Sequence, residues 1–360
     1  MRNWADLPDD LLNLILSKLF AKDRHMFSLV CRSWNTVAAS SAYRYSPCLM
    51  YYHRSKHMWK LYQYNSFFYM SFTELEKAEI CCSKYGWLLM RRYDNSLFFF
   101  DPFNNQRIEI PCKLRNGYST VSFFHPPTSP DCFIVGIDDT PDSGTEVILK
   151  ICVLKHGEKK WDINIYRPRK RFLVSRGAPV LHGGLLYFSD VRGNVATFNM
   201  SKCDDCKPRL AIKFRCLRRR RLGNKIKEHY LFKINGEEAM FVVFVLHEER
   251  KVSMFRLLEP EMKWEPMQDI GDKVLYLSHV SSFGNTAYLK NMSNRIYFPK
   301  FHGDTTVFYS LNSGKYHSVD GDYSNNNSYG LQRLDLATWI TPAPTPEFLT
   351  ELLTWCPEVD

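Results

Sequence analysis

One pattern recurs along most of the chain and restricts the folds that the chain can adopt. Each copy is an apolar, aromatic strand, a polar turn and a second strand that is often marked by tryptophan. The copies are centred on Tyr52, Phe100, Val153, Phe198, Phe255 and Tyr309. Neighbouring centres are 45 to 57 residues apart, and a period of about 50 residues is typical of one four-stranded propeller blade. The repeat therefore predicts a β-propeller of about six or seven blades, a seventh being built from the two ends of the repeat region.

Several copies have a second hairpin just upstream, which completes the four strands of a blade. "GWLLMRRYDNSLFFF" and "GGLLYFSDVRGNVATF" both read as glycine, apolar strand, polar turn and apolar strand. A blade cannot bury both of its faces alone, so blades must stack around a ring. The alternative reading is two separate β-sandwich domains, although no break in composition divides the repeat region.

A different pattern comes before the repeats, in residues 7–38. Pro8 suits the first position of a helix, and Asp9 and Asp10 place negative charge in its first turn. Leucine and isoleucine then recur at helical spacing, Asp23 suits the N-cap of a second short helix, and a third helix would carry Trp34. Three helices in about 40 residues form a small core. Part of this apolar set must therefore meet another surface, either of this chain or of a partner.

The ordered string "LPDDLLNLILSKL…D…FSLVCRSW" resembles an F-box, with no departure from that family's pattern at the matching positions. The resemblance implies docking onto a Skp-type adaptor and, through it, onto a cullin. Carried over by position, the docking residues are Leu7, Pro8, Leu11, Leu12, Ile15, Leu19, Val30, Cys31 and Trp34. The alternative is an N-terminal helical cap that packs on the main domain.

The repeat region resembles the plant-type F-box-associated domain that is often labelled F-box/kelch and is KIB-like. The resemblance rests on "CCSKYGWLLM…FFFDPFNNQRIEIP", "PPTSPDCFIVGI", "KWEPMQDIGDKVLYLSHVSSF", "NRIYFPKF" and, as the terminal strand, "TWITP". The double glycine of true kelch repeats occurs only once, so kelch describes the architecture and not the repeat sequence.

Together these features predict an α+β multidomain protein, a short three-helix F-box followed by an all-β propeller. We place the F-box at residues 3–45, the propeller at 46–342 and a tail, which could form a short helix, at 343–360. The resemblance implies the substrate-recognition subunit of an SCF-type (Skp–cullin–F-box) ubiquitin ligase, with an unknown protein substrate. The protein is not expected to be an enzyme, because no P-loop, dinucleotide-binding fingerprint or nucleophile elbow is present. No cofactor or metal is expected.

The net charge is +10, and eight of the 48 basic residues fall within the 15 positions of one run, "KFRCLRRRRLGNKIK". Its cations favour nuclear import or an anionic partner, or belong to a solvated loop between strands. The residues in question are Arg218, Arg219, Arg220, Arg221, Lys225 and Lys227. The alternative function is a propeller without a ligase role that binds nucleic acid through this basic loop or binds some other protein. The aromatic residues that nucleic-acid binding needs are, however, committed to strands.

Cysteine usage and hydropathy limit the compartment. The eleven cysteines are scattered, and no signal peptide is apparent, so reduced thiols in the nucleus or the cytoplasm, or in both, are expected. Cys203, Cys206, Cys216 and His229 could supply four zinc ligands, but their spacing matches no familiar zinc motif. The longest apolar run, 239–246, is too short to span a membrane, so a soluble protein with no membrane partner is predicted.

Overall fold

The structure is a computed structural model, and it describes the chain in segments. These are residues 4–19, 21–40, 47–53, 58–63, 66–70, 75, 78–114, 118–141, 147–169, 171–200, 210–213, 226–246, 251–259, 263–287, 290–302, 305–318, 332–333 and 337–342. The predicted tail, and the basic run except for its residues 213, 226 and 227, lie outside them.

Three helices open the chain, α1 at Asp9–Lys18, α2 at Ala21–Ser28 and α3 at Arg32–Ser40, after a 3-10 turn at Trp4–Asp6. The first helix begins one residue later than predicted. Pro8 is its N-cap, with φ −58° and ψ 147°, and the Pro8 carbonyl accepts from the N–H groups of Leu11 and Leu12.

The prediction that Asp23 caps the second helix is wrong. The α2 helix already begins at Ala21, so Asp23 lies within its first turn. Its negative charge there still interacts favourably with the positive end of the helix dipole. The helix ends at Ser28, so Val30 falls in the link to α3. The third helix does carry Trp34, as predicted.

After the helices, the regular elements of the described residues are strands joined by turns and loops, apart from 3-10 turns at Leu75 and Lys290–Met292. In chain order, strands β1 to β26 are Cys48–His53, Met58–Gln63, Ser66–Met70, Ala78–Lys84, Trp87–Arg92, Leu97–Asp101, Gln106–Glu109, Thr120–Phe124, Phe133–Pro141, Val147–Lys155, Asp162–Tyr166, Val180–His182, Leu185–Ser189, Val195–Asn199, Leu210–Lys213, Ile226–Ile234, Met240–Leu246, Val252–Leu258, Lys263–Met267, Lys273–Leu277, Ser282–Thr286, Arg295–His302, Thr305–Ser310, Lys315–Ser318, Gln332–Arg333 and Thr338–Ile340.

These strands form four four-stranded sheets and one curled ten-stranded sheet. We number the blades along the chain: blade 1 is β26-β1-β2-β3, blade 2 is β4–β7, blade 3 is β8–β11 and blade 4 is β12–β15. The ten-stranded sheet holds blade 5 (β16–β19) and blade 6 (β20–β25), joined where β16 and β21 run parallel. The chain is therefore an F-box-like helical module followed by a β-propeller.

The hydrophobic clusters show that the ring is closed. Each buried cluster of the propeller is shared by two neighbouring blades, in the order 1–2, 2–3, 3–4, 4–5, 5–6 and 6–1. Strand β6 shows why, since Phe98 and Phe100 pack towards blade 1 whereas Leu97 and Phe99 pack towards blade 3. Alternate side chains of a strand point to opposite faces, so a fully apolar strand can bury both. Within the described residues the ring has six blades, and a pair of separate β-sandwiches is excluded.

The two ends of the propeller share one blade and do not add a seventh. The last strand, Thr338–Ile340, pairs antiparallel with β1, and Trp339 lies opposite Leu49. This strand takes the inner place of blade 1, because β26 contacts β4, the first strand of blade 2. The repeat consequently marks the third and fourth strands of blades 2 to 5 and strands β23 and β24 of blade 6, but the second and third strands of blade 1.

Candidate functional site

The helical module completes a core of its own. Leu12, Leu16, Phe27, Val37 and Ala38 are buried against one another. Because this cluster already occupies the inner faces of the three helices, apolar side chains on other faces have no place in it.

Among the side chains of the module that the structure describes, six large apolar ones remain exposed, by between 47% and 68% of their surface. They are Trp4, Leu11, Leu14, Met26, Leu29 and Val30. Leu11 and Leu14 are three residues apart on α1 and therefore lie on one side of that helix. Met26, Leu29 and Val30 follow the same spacing through the end of α2 into the link. Such concentrated apolar exposure on a small module indicates a surface that binds a partner.

The structure divides the nine residues that the F-box resemblance assigned to docking. Pro8, Leu11 and Val30 are exposed. Five are half-buried, and of these all but Cys31 pack against the helical core: Leu7, Ile15, Leu19, Cys31 and Trp34. Leu12 is completely buried, so its side chain stabilises the module and is not available to a partner in this structure.

Cys31 and Trp34 belong to a small network that fixes the N-terminal turn on α3. The Trp34 Nε1–H donates to the Trp4 carbonyl at 3.1 Å, and the Ser33 hydroxyl donates to the Ala5 carbonyl at the same distance. The Cys31 Sγ lies 3.1 Å from the Ser33 Oγ, and this hydrogen bond lowers the pKa of the thiol below its ordinary value. The network therefore sets where Trp4, one of the exposed residues, is presented.

Sequence reasoning missed Trp4, Leu14, Met26 and Leu29. The spacing from Leu11 to Leu14 and from Met26 to Leu29 was available as a signal. It could not be interpreted without knowing which face of each helix the small core occupies, because both faces of α1 are apolar.

Inside the propeller, the inner strand β16 carries two buried polar contacts. The Lys300 Nζ lies 3.4 Å from Glu228 Oε2, which also accepts from the Tyr230 hydroxyl at 2.7 Å. The next residue, His229, has its Nε2 2.9 Å from the Ser189 Oγ. The first contact ties blade 5 to blade 6 and the second ties it to blade 4.

This arrangement joins neighbouring blades. Glu228 and His229 are consecutive residues of one strand, so their side chains leave opposite faces of the sheet. They cannot act as an acid and a base on one substrate atom, which requires both groups within hydrogen-bond reach of it.

The pKa of His229 makes this contact sensitive to pH. Burial, aided by the nearby His279, lowers the pKa of His229 to about 4 from an ordinary value of 6.5. Between these values the unfolded chain binds a proton that the folded chain excludes, so stability falls as the pH drops from 6.5 towards 4. We expect a loss of up to about 3 kcal/mol across this window.

The prediction can be checked by urea unfolding at pH 7.5 and pH 5. The His229→Gln variant keeps a polar group near the Ser189 hydroxyl but cannot titrate, so its stability should change less between the two pH values. Equal changes in the variant and the unmodified chain would show that His229 does not contribute.

One end of the propeller centre is closed by the chain itself. The Ala178 N–H, which leads into blade 4, donates to the His279 carbonyl at 2.9 Å. The Ser83 N–H of blade 2 donates to the Val280 carbonyl at 3.4 Å. Because blades 2, 4 and 6 all reach residues 279–280, this loop lies across the centre.

Other predicted features can be located only in part. Of the basic run, Lys227 is exposed at the start of β16, whereas Arg218 to Arg221 and Lys225 lie outside the described residues. The same holds for the three cysteines of the zinc alternative, and the fourth ligand, His229, is already paired with Ser189. Within the described parts of the chain, no group of three or more His, Cys, Asp or Glu residues could hold a metal ion. Nor does any described helix have the length and apolar character needed to cross a membrane.

Comparison with known proteins gives two family matches. Residues 4–44 match the F-box domain, and residues 56–317 match the KIB1-4 β-propeller. The F-box/kelch-repeat protein At1g57790 of Arabidopsis thaliana is 28% identical over 364 residues, which cover 94% of this chain and 94% of the relative. The F-box protein At4g00893 of the same plant is 27% identical over 338 residues, covering 88% of this chain and 81% of the relative. The combination of an F-box domain with a β-propeller is of the adaptor or receptor type and not of a catalytic family.

Proposed function

The chain belongs to the KIB1-4 β-propeller family and carries an F-box domain, and on this premise we propose that it is the substrate-recognition subunit of an SCF-type ubiquitin ligase. The observation that supports the proposal most directly is the exposed apolar surface of a helical module whose own core is complete. F-box domains generally bind Skp-type adaptors, and burial of this surface in an adaptor would remove it from water.

The docking surface that we propose differs from the one carried over from the family pattern. It centres on Leu11 and Val30, which the pattern and the exposed surface share, and it adds Leu14, Met26 and Leu29. Ile15, Leu19 and Trp34 would act mainly by holding the helices in place, since they pack against the module's core.

In this mechanism the chain contributes only proximity between a target protein and the ubiquitin-conjugating enzyme. The helices would fix it to the adaptor and, through the adaptor, to the cullin, while the propeller holds a target protein. A lysine of the target would thereby stay close to the ubiquitin-conjugating enzyme, and holding two reactants together can accelerate their reaction greatly. The chain would supply no catalytic group, in line with the separation of Glu228 from His229 across the sheet.

We propose the nucleus or the cytoplasm, or both, as the place of action. The cysteines that the structure describes are all free thiols, several of them buried in the propeller core, which fits a reducing compartment.

A reconstituted ligase tests the proposal. The full chain is mixed with a Skp-type adaptor, a cullin–RING pair, the activating and conjugating enzymes and ubiquitin. We expect ubiquitin conjugates on lysines of the receptor chain itself, only when the adaptor is present. Conjugates that form equally well without the adaptor, or none at all when a known F-box receptor is modified in parallel, would contradict the proposal.

A further inference from the structure

Within the described parts of the chain, the outer strand of blade 3 has a neighbour on one side only. Strand β11, Asp162–Tyr166, is the end strand of its sheet, and among the described strands it pairs with β10 alone. Two of its side chains point outwards into water, Ile163 with 40% and Ile165 with 57% of its surface exposed. They are two residues apart, so they lie on the same face of the strand.

The other outer strands whose side chains the structure describes avoid this arrangement. In β7 the exposed positions are Arg107 and Glu109, which pair with each other at 2.9 Å. In β19 they are Lys263, Glu265 and Pro266, and Pro266 has no N–H to offer. Charges and proline on an edge strand prevent pairing with another chain. Strand β11 has one exposed charge, Asp162 at its first position, but its other two exposed positions are isoleucines, which favour pairing.

Cations stand at both ends of this open edge. Lys159 and Lys160 precede the strand, and Arg167, Arg169 and Arg171 follow it, all of them exposed. None of the five forms a salt bridge with another described residue. Because the lysines precede β11 and the arginines follow it, the two groups lie at opposite ends of this strand.

We propose that β11 is the docking edge for an extended segment of the target protein. The segment would add a strand to blade 3 through backbone hydrogen bonds, place apolar side chains against Ile163 and Ile165, and carry acidic residues on both sides of that apolar stretch. Five strand residues span about 17 Å, so the two acidic groups would be separated by roughly this length. That the docked segment belongs to a protein marked for ubiquitination rests on the proposed ligase function. Docking of the segment on β11 does not itself depend on the adaptor.

The full chain is tested with a fluorescein-labelled peptide of sequence Glu-Glu-Val-Thr-Val-Thr-Val-Glu-Glu, by fluorescence anisotropy. We expect saturable binding that weakens about tenfold or more in Arg167→Glu/Arg169→Glu, because the acidic end of the peptide then meets like charge. The Ile165→Thr variant keeps the preference for strand but removes apolar surface, and it should also weaken binding. The matched control is Lys251→Glu/Lys263→Glu, which makes the same change in charge at exposed positions of blade 5 and should bind normally.

Two altered probes separate the proposed mode from simple charge attraction. A peptide with N-methyl groups on alternate residues cannot form the backbone hydrogen bonds of a strand, and a peptide ending in lysines cannot meet the arginines. Both should bind at least about tenfold more weakly. Equal binding of either peptide, equal loss in the control variant, displacement by a single-stranded oligouridylate at the same concentration, or no binding at all would overturn the proposal. Adaptor binding, measured on the same samples, should be unchanged in every variant. If the peptide fails to bind, the proposed ligase role is unaffected, and if the adaptor fails to bind, the proposed docking edge is unaffected.

Discussion

Replacing Leu11 and Val30 together by aspartate should weaken binding of the full chain to a Skp-type adaptor by about 100-fold or more. Each side chain is about half exposed, so each can be buried by a partner, and central apolar residues of an interface commonly contribute about 2 kcal/mol or more. The new carboxylates would also lose their hydration on docking. The adaptor affinity is measured by interferometry with the adaptor immobilised.

The variant should remain folded, because neither side chain belongs to the module's buried cluster. Tyr93→Asp is the control for a carboxylate added at an exposed position, since Tyr93 is 84% exposed on the propeller, and it adds one negative charge where the double variant adds two. Leu12→Asp gives a different kind of loss, in which the helical signal in circular dichroism falls as well. Wild-type affinity in the Leu11/Val30 variant would show that the exposed helical surface is not where the adaptor binds.

The second large effect concerns closure of the propeller. Trp339→Ala should lower the free energy of unfolding by about 3–5 kcal/mol, the usual cost of removing a buried aromatic side chain. Trp339 is buried in blade 1, and its ring centroid lies 5.0 Å from that of Tyr276 and 6.2 Å from that of Tyr297, both in blade 6. The change therefore removes contacts that join the last blade to the first.

Urea unfolding followed by tryptophan fluorescence and circular dichroism measures this loss. Tyr93→Ala serves for comparison and should stay within about 0.5 kcal/mol of the unmodified chain, because an exposed side chain contributes little. If Trp339→Ala were as stable as Tyr93→Ala, the terminal strand would not hold the ring together, and the pairing of β26 with β1 would have to be abandoned.

The sequence repeat made the propeller predictable, but it did not predict how the ring of blades closes. Strands such as β6 are apolar on both faces because they are covered by two neighbouring blades, and this leaves a clear mark in the sequence. The pairing of Cys48 with Ile340 joins residues almost 300 positions apart and leaves no local mark. The repeat count could therefore not distinguish a shared blade from an additional one.

The docking surface was predictable in kind but not residue by residue. Periodicity shows that α1 has more apolar residues than one face can hold, but it does not show which of them the small core takes. The structure places Leu12 in that core and leaves Leu11 and Leu14 outside it. The side chains that a partner can reach are decided by packing between helices, which spacing along one helix does not report.

The open edge at blade 3 and the buried contacts of β16 had no sequence signal of their own. The stretch "DINIY" reads as an ordinary half-buried strand, and Ile163 and Ile165 become unusual only because that strand is the last of its sheet. In the same way, Glu228 and Lys300 are 72 residues apart and meet only because their blades are neighbours.

The central claim, that the helical module docks onto a Skp-type adaptor, is tested most directly by isothermal titration of the full chain with the purified adaptor. We predict saturable binding with one adaptor per chain, and a negative change in heat capacity because apolar surface is buried. No heat of binding at any temperature between 10 and 35 °C, with the adaptor still able to bind another F-box protein, would contradict the account. The exposed helical surface would then have to be covered by something other than the adaptor.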